Sequence, residues 1–507
     1  MGRIMTLLAC LALLTLPAIG DEPVRTTAPE IAISLSMAHR GSAAIDQQLL
    51  ESYGAPSDEV QQFYQAATEA FRADPTSNFA NNISVAQSAE HFGRRLTGGP
   101  MLGDVRTDGA QVWLRTTKPA SVRVRVVDPS GEEKDRWFGP CASSEESGLA
   151  VRVVLDGLTA DTSYAYDIEI DGENVTLETP AHFTTLRETS GITRIAFGSC
   201  FHKAGLHNPH LLGQVAAREN RAMILLGDLA VDDRNNQIGL HCSDYLLRDL
   251  SPGWQPFAAC MPLYASWDDH DYFDNDRSGI PSGYSAADVA AVRRVWTENW
   301  NNPSYGEADS GIYFHTRIGP VDLIMLDTRS LRKAKPKLEN AYLGDQQTAW
   351  LKSELKQCQG PFTIISSGTM WSNQVSNGKD SWGVWDPNGR EALFQLIEQL
   401  QVPGVLLLSG DRHGARGMQI ARPSGYTFYE FEPASLGGMT GPAAWGNDRT
   451  QQWFGHTNIK AFGEFTFDTR PADPTVTFRL VDEQGEVREE LTLTQSQLTA
   501  GPKDQAP

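Results

Sequence analysis

Five short apolar runs in this chain each end on a residue able to bind a metal or move a proton. They are Ile195-Ala196-Phe197-Gly198-Ser199-Cys200, Ile224-Leu225-Leu226-Gly227-Asp228, Trp267-Asp268-Asp269-His270-Asp271, Leu323-Ile324-Met325-Leu326-Asp327 and Leu406-Leu407-Leu408-Ser409-Gly410-Asp411-Arg412-His413. Runs this short and this apolar suit strands covered on both faces, as in a sheet flanked by helices. Open α/β sheets bind ligands beyond the carboxyl ends of their strands. A thiol, carboxylates and imidazoles at such ends converge in space although they lie far apart in sequence. The pattern restricts this part of the chain to an α/β architecture and reads as a metal-dependent hydrolase.

The remainder divides around that block. A chain of 507 residues exceeds one compact core, so several domains are expected. Residues 1–20 carry Arg3, an apolar run from Ile4 to Leu16 and the small-residue ending Ala18-Ile19-Gly20, the form of a secretory signal peptide. Export to the periplasm or medium is therefore expected, with no membrane span after signal cleavage. Residues 21–97 read as a helical segment: Val60, Phe63, Tyr64, Ala67 and Phe71 share one face, with Pro56-Ser57-Asp58 as start and Asp74-Pro75 as stop. A second helix is expected over Ile83 to Arg94. This segment reads as a packing element or a pro-region and shows no chemistry.

Residues 98–187 alternate with period two, and Leu155-Asp156-Gly157-Leu158 leading to Tyr164 resembles the turn and tyrosine of a fibronectin type III sandwich. From 188 to about 490 strands alternate with helices, and 491–507 reads as a tail. The net charge of −20 argues against general binding to nucleic acid or anionic membranes. Of six cysteines, Cys10 leaves with the leader, and the remaining odd count leaves at least one thiol unpaired. Cys242 with Cys260, and Cys141 with Cys358, are the suggested pairs, with Cys200 free.

The chemistry concentrates at the strand ends. Asp228 follows a glycine that allows close approach, and it is the best candidate for a carboxylate shared by two cations. Asp411 and His413, two apart, fall on one side of an extended segment. In Asp268-Asp269-His270-Asp271 the crowded carboxylates need cations, so Asp269 is assigned to metal and His270 to proton transfer, with Asp268 beside it in the catalytic group. Cys200 is open to three readings: a metal-bound thiolate, a nucleophile with His202 as base, or an inert buried thiol. Arg329 either grips phosphate or braces a carboxylate. Trp300, Tyr305, Trp371 and Trp382 either line a pocket or pack a core.

In order along the chain, Gly99-Pro100-Met101-Leu102-Gly103, Gly198-Ser199-Cys200, Leu226-Gly227-Asp228, Trp267-Asp268-Asp269-His270-Asp271, Leu326-Asp327-Thr328-Arg329 and Ser409-Gly410-Asp411-Arg412-His413 resemble the motifs of the PhoD-like alkaline phosphatases of the metallophosphatase (calcineurin-like) superfamily. Asn275-Asp276, Trp300-Asn301-Asn302-Pro303-Ser304-Tyr305-Gly306 and Lys379-Asp380-Ser381-Trp382 resemble one branch of it. The resemblance implies an α+β multidomain chain whose catalytic unit is a four-layer αββα sandwich. It implies Cys200, Asp228, Asp269, Asp411 and His413 as metal ligands, iron with calcium as the ions (manganese or zinc as alternatives), and a phosphate ester as the partner. Asn301 and Arg329 are assigned to the substrate.

The expected function is hydrolysis of phosphate monoesters or diesters by a metal-activated hydroxide, with His270 protonating the leaving group. One departure stands out. Where the family has a tyrosine three residues after the Gly-Asp aspartate, this chain has Val231, so Asp232 or Asp233 is the suggested substitute and a divalent ion is favoured. The alternatives are a phospholipase-D-like phosphodiesterase acting on extracellular polymers, a cell-surface binding protein with a weakened metal site, and a Cys200–His202 thiol hydrolase.

Overall fold

The computed structural model describes residues 33–501 except 53, 55, 130–134, 178, 207–208, 374–380, 442 and 447. The leader expected at residues 1–20 and the resemblance at Lys379 and Asp380 lie outside the described residues. No described helix is long and apolar enough to cross a membrane.

Two large sheets carry the site. The first runs, in spatial order, Leu263–Ser266, Met223–Leu226, Ile192–Gly198, Ala461–Asp468, Thr475–Asp482 and Val487–Thr494. Its first three strands are parallel, so their carboxyl ends lie along one edge. The second runs Phe314–Ile318, Val321–Met325, Phe362–Ser366, Val405–Leu408, Thr427–Pro433, Ala415–Ala421 and Gln452–His456, with four consecutive parallel strands from Val321–Met325 to Thr427–Pro433.

Side-chain alternation shows how the sheets stack. Ile224 and Leu226 enter a core that also holds Phe197, Leu323, Met325, Leu406, Phe431 and Phe465, so this core lies between the sheets. Met223 and Leu225 face the other way, into a cluster with Phe63, Phe71, Tyr245 and Trp254. On the far side, Ile324, Leu326, Ile365 and Leu407 pack on Leu351 and Phe394 of the helices Gly344–Glu354 and Pro387–Leu400. Each strand is apolar on both faces because one face meets the partner sheet and the other meets helices.

The amphipathic helix expected around Val60 to Phe71 is Asp58–Ala73, capped by Ser57, whose hydroxyl accepts from the Val60 amide. Its apolar face packs on the helix Ile238–Leu250, which the sequence reading passed over. Two further helices, Leu35–Arg40 and Ala43–Ser52, precede it. The other helix expected, over Ile83 to Arg94, is Ile83–His91.

Residues 96–184 form two facing sheets, one of Leu96–Gly103, Ala110–Thr116 and Ala150–Leu155, the other of Arg136–Ala142, Ser121–Val126, Ser163–Ile170, Glu173–Val175 and Ala181–Thr184. The Thr159 amide donates to the Tyr164 hydroxyl at 3.0 Å, which closes the turn read from the sequence. Arg115 and Trp113 tie this unit to the helix Ala286–Asn299 by donating to Asn299 Oδ1 and the Glu298 carbonyl.

Several expectations are corrected. Cys141, Cys242, Cys260 and Cys358 are free thiols rather than two pairs, while Cys200 is free as expected. Cys242 is buried under its helix, whereas Cys260 turns toward the β unit and contacts His182, so the suggested local bridge has no geometry. The stretch read as a tail from 491 instead continues the edge strand Val487–Thr494, and Leu498 packs in the core. The strand expected from Gly311 starts at Phe314, since Gly311 stands at φ +69.

Candidate metal centre

The strand Ile192–Gly198 delivers Ser199 and Cys200, and the strand Met223–Leu226 delivers Gly227 and Asp228. Backbone bonds knit the two ends together: the Cys200 amide donates to the Gly227 carbonyl and the His202 amide to the Asp228 carbonyl. Gly227 sits at φ +104, and a Cβ there would lie 2.4 Å from Asp268 Cβ, so no other residue fits between the two loops. Cys200, His202, Asp228, Asp233, Asp411 and His413 all have positive φ. Left-handed backbone at so many non-glycine residues is strain that the surrounding packing holds in place, and it gathers at this one place.

Four overlapping groups of possible ligands result: two larger sets, and the triads His39–His202–His270 and Asp228–Asp269–His270. Cys200, His202, Asp228 and His413 present ligand atoms within 4.8 Å of one another, as do Asp228, Asp268, Asp269 and Asp411. Asp228 belongs to both. The spacing tests whether the first group fits an ion. Metal–nitrogen bonds of about 2.0–2.1 Å and a metal–sulfur bond of about 2.3 Å, at tetrahedral angles, place two nitrogens about 3.4 Å apart and sulfur about 3.6 Å from a ligand oxygen. His202 Nε2 and His413 Nε2 are 3.4 Å apart, and Cys200 Sγ is 3.6 Å from Asp228 Oδ2. The other oxygen, Asp228 Oδ1, is buried without a hydrogen-bond partner among the described residues. A buried carboxylate oxygen is rarely left so unless a cation takes it.

Electrostatics agree. Burial, then the Asp228 charge, pushes the Cys200 thiol well above its usual value. Burial likewise raises Asp228 and Asp268, where neighbouring carboxylates add to it. Burial holds all three toward their neutral forms, which a bound cation would oppose. Burial and the nearby His202 and His270 hold His413 down at about 3, so it is neutral and can ligate. His270 behaves oppositely: burial would lower it, but Asp269, Asp228 and Asp233 together raise it well above 6.5.

His202, expected as a base for the Cys200 thiol, stands in the first donor group. Val231 is buried in the core, and neither following aspartate is among the grouped donors. Asp232 Oδ1 is 2.9 Å from His202 Nδ1, which turns His202 Nε2 toward Cys200 and His413. Asp233 Oδ1 is 2.6 Å from His270 Nδ1. Burial would raise both carboxyls, but His39, His202 and Lys203 hold Asp232 far below the carboxylate range, and His270 and His39 hold Asp233 at about 2. Among the described residues no hydrogen bond joins Cys200 to His202, and the Cys200 partners are Ser199 Oγ and Asp228.

Other assigned residues fall differently. Asp268 and Asp269 stand in the carboxylate group, and Arg329 donates to both oxygens of Asp268, 2.8 Å on the Nη2 side, with Asp269 Oδ1 at 3.6 Å. Arg329 therefore braces carboxylates, the second of its two readings. Asn301 is not at the centre. Its Nδ2 donates to the Met101 and Gln111 carbonyls, where it pins the β unit, so its substrate assignment is withdrawn. Asp327 anchors its own turn through the Arg329 and Ser330 amides. Trp300, Trp371 and Trp382 are buried core residues, and the Tyr305 hydroxyl contacts the Trp300 carbonyl.

His39 was missed altogether. It comes from the helix Leu35–Arg40, and its Nδ1 is 3.1 Å from Asp233 Oδ2. No periodicity or motif in the sequence marks it.

Stacked sheets that gather possible metal ligands at one place fit a metallophosphatase-type hydrolase. Residues 241–500, half of the chain, match the family described as PhoD-like phosphatase, and the chain belongs to that family. Cys200, His202 and Asp228 precede the matched range. Residues 93–188 match a domain of unknown function (DUF7800). The solved structure of PhoD is similar over 80% of this chain and 91% of that one, with 18% identity and a TM-score of 0.63. The purple acid phosphatase PPD1 from seeds of yellow lupin (Lupinus luteus) covers 78% of this chain and 74% of its own, at 15% identity and a TM-score of 0.57. At these identities the likeness is one of fold. No curated protein matches the chain.

Proposed function

We propose an exported phosphoesterase that hydrolyses phosphate monoesters or diesters at a two-metal centre bridged by Asp228. The observation that carries this reading is the Cys200–His202–Asp228–His413 set, whose spacings fit one bound ion. A thiolate, two imidazoles and a carboxylate suit iron(II) or zinc, and the all-carboxylate group of Asp228, Asp268, Asp269 and Asp411 suits calcium or manganese. When bound, such cations activate water and offset charge on phosphoryl oxygens. Asp232 holds the His202 proton on Nδ1, which leaves Nε2 as a lone-pair donor. Asp233 accepts from His270 Nδ1, and the carboxylates that raise His270 keep it an imidazolium, so Nε2 also carries a proton for a departing alkoxide. Arg329 fixes Asp268 and, at longer range, Asp269 in position.

The Arg3-led apolar leader supports export, and the closed Tyr164 turn supports a fibronectin type III-like β unit. The test is the initial rate on a chromogenic phosphate monoester and its matching diester, with Fe, Zn, Ca and Mn supplied singly and in pairs. Turnover that needs metal and is lost in Asp228→Asn supports the reading, and the faster ester selects monoesterase or diesterase. No turnover with any metal or pair sinks it.

A further inference from the structure

The N-terminal segment carries a histidine into the middle of the site. His39 Nδ1 is 3.1 Å from Asp233 Oδ2, and its Nε2 is 3.7 Å from Asp232 Oδ1 and 3.4 Å from His202 Nδ1. Its ring centroid is 4.5 Å from that of His270 and 5.2 Å from that of His202. Asp232 and Asp233 are the two carboxylates that orient His202 and His270, and His39 lies across both. Adjacent residues of one chain point their carboxylates at different histidines, so a third group between them fixes the angle of the pair. The His39 and Asp233 side chains are 17% and 18% exposed, against none for His202, so His39 closes the cluster on its solvent side.

The placement of His39 is built rather than incidental. Arg234 donates to the His39 carbonyl at 2.7 Å and to the Ala38 carbonyl at 3.4 Å, gripping the end of the helix Leu35–Arg40. Arg234 is itself held by Asp244 at 2.7 Å. Asp46, fully buried in the next helix, accepts from Lys203 at 2.8 Å and from Arg72 at 2.6 Å. Lys203 is the neighbour of His202 in the chain. Buried ion pairs of this kind contribute little net stability but penalise any other register, because a shifted helix strands charges in the interior.

We propose that His39 is a positioning residue of the catalytic centre: it clasps Asp233 at 3.1 Å and so aims His270. The segment read from sequence as a packing element or pro-region is then a working part of the enzyme. The inference rests on His270 being the proton donor, and the experiment separates the two claims.

Full-length wild type, His39→Ala, His39→Asn and His270→Gln are compared on p-nitrophenyl phosphate, whose leaving group needs no proton, and on glycerol phosphate, whose alkoxide does. Bound metal is measured by elemental analysis and folding by melting temperature. In His39→Ala, kcat on glycerol phosphate should fall about 10–100-fold, the range for lost outer partners, and on p-nitrophenyl phosphate less than about threefold. KM and metal content should stay unchanged. His39→Asn should recover part of the loss, since its amide reaches Asp233 as Nδ1 does.

Three results overturn the inference: equal losses on both esters, no loss at all, or one fewer metal ion per chain, which would make His39 a ligand. If His270→Gln shows the leaving-group bias and His39→Ala does not, only the clasp fails. If His270→Gln lacks the bias, the proton-donor reading fails and the clasp with it. A His39→Ala chain that does not fold leaves His39→Asn to decide by the same ratio of the two esters.

Discussion

Replacing Asp232 with Asn should weaken metal binding without touching a ligand. Asp232 is fully buried and accepts two hydrogen bonds, from His202 Nδ1 at 2.9 Å and from the Lys203 amide at 3.1 Å. Asparagine offers one acceptor oxygen and one amide donor. If the oxygen serves Lys203, the amide faces His202 Nδ1 and forces that nitrogen to accept. The imidazole proton then moves to Nε2, the atom facing Cys200 and His413, and a protonated nitrogen cannot bind a cation. If the amide flips, it meets the Lys203 N–H, and a buried donor loses its partner. Losing an outer partner of a ligating histidine costs about 10–100-fold in affinity, or about 1.4–2.7 kcal/mol. Competition of the full-length protein against a chelator of known affinity, with Fe(II) or Zn, measures this directly. A variant that binds its first ion within threefold of wild type would refute the tautomer argument, and with it the place of His202 among the ligands.

Gly227→Ala should lose about 1–3 kcal/mol and most of the bound metal, because the backbone is at φ +104 and the new methyl meets Asp268; a normal melting temperature with full metal content would count against it. Asn301→Ala should lower stability by about 1–3 kcal/mol through two abandoned carbonyls while leaving KM unchanged, and a raised KM would restore its substrate role. His315 gives a pH signature remote from the centre. Burial would lower it, but Asp322 and Glu354 raise it above 6.5. A raised folded value means its stabilisation is complete below the unfolded value near pH 6.5 and fades as pH climbs through the folded one. Denaturant unfolding should therefore show the gap between wild type and His315→Gln shrinking from about pH 6 to about pH 9, and a constant gap would contradict the sign.

The sequence by itself determined the strands and what stands at their ends. Apolar runs such as Ile224–Leu226 and Leu406–Leu408 suit strands buried on both faces, and the Cys, Asp and His residues after such strands gather along one edge. That local pattern also carried the family motifs. What it could not decide is which atom meets which. His202 and His39 belong to no periodic pattern, and they reach the site through contacts between segments 163 residues apart in sequence.

The same limit explains Asn301 and the tryptophans, whose residue types suit a pocket as well as a core until packing places them, and Arg329, whose fork suits a phosphate as well as the Asp268 carboxylate it meets. The tertiary fold also set the protonation chemistry. Burial raises Asp228 and Cys200 while crowded carboxylates raise His270, and both effects depend on neighbours that no single strand possesses.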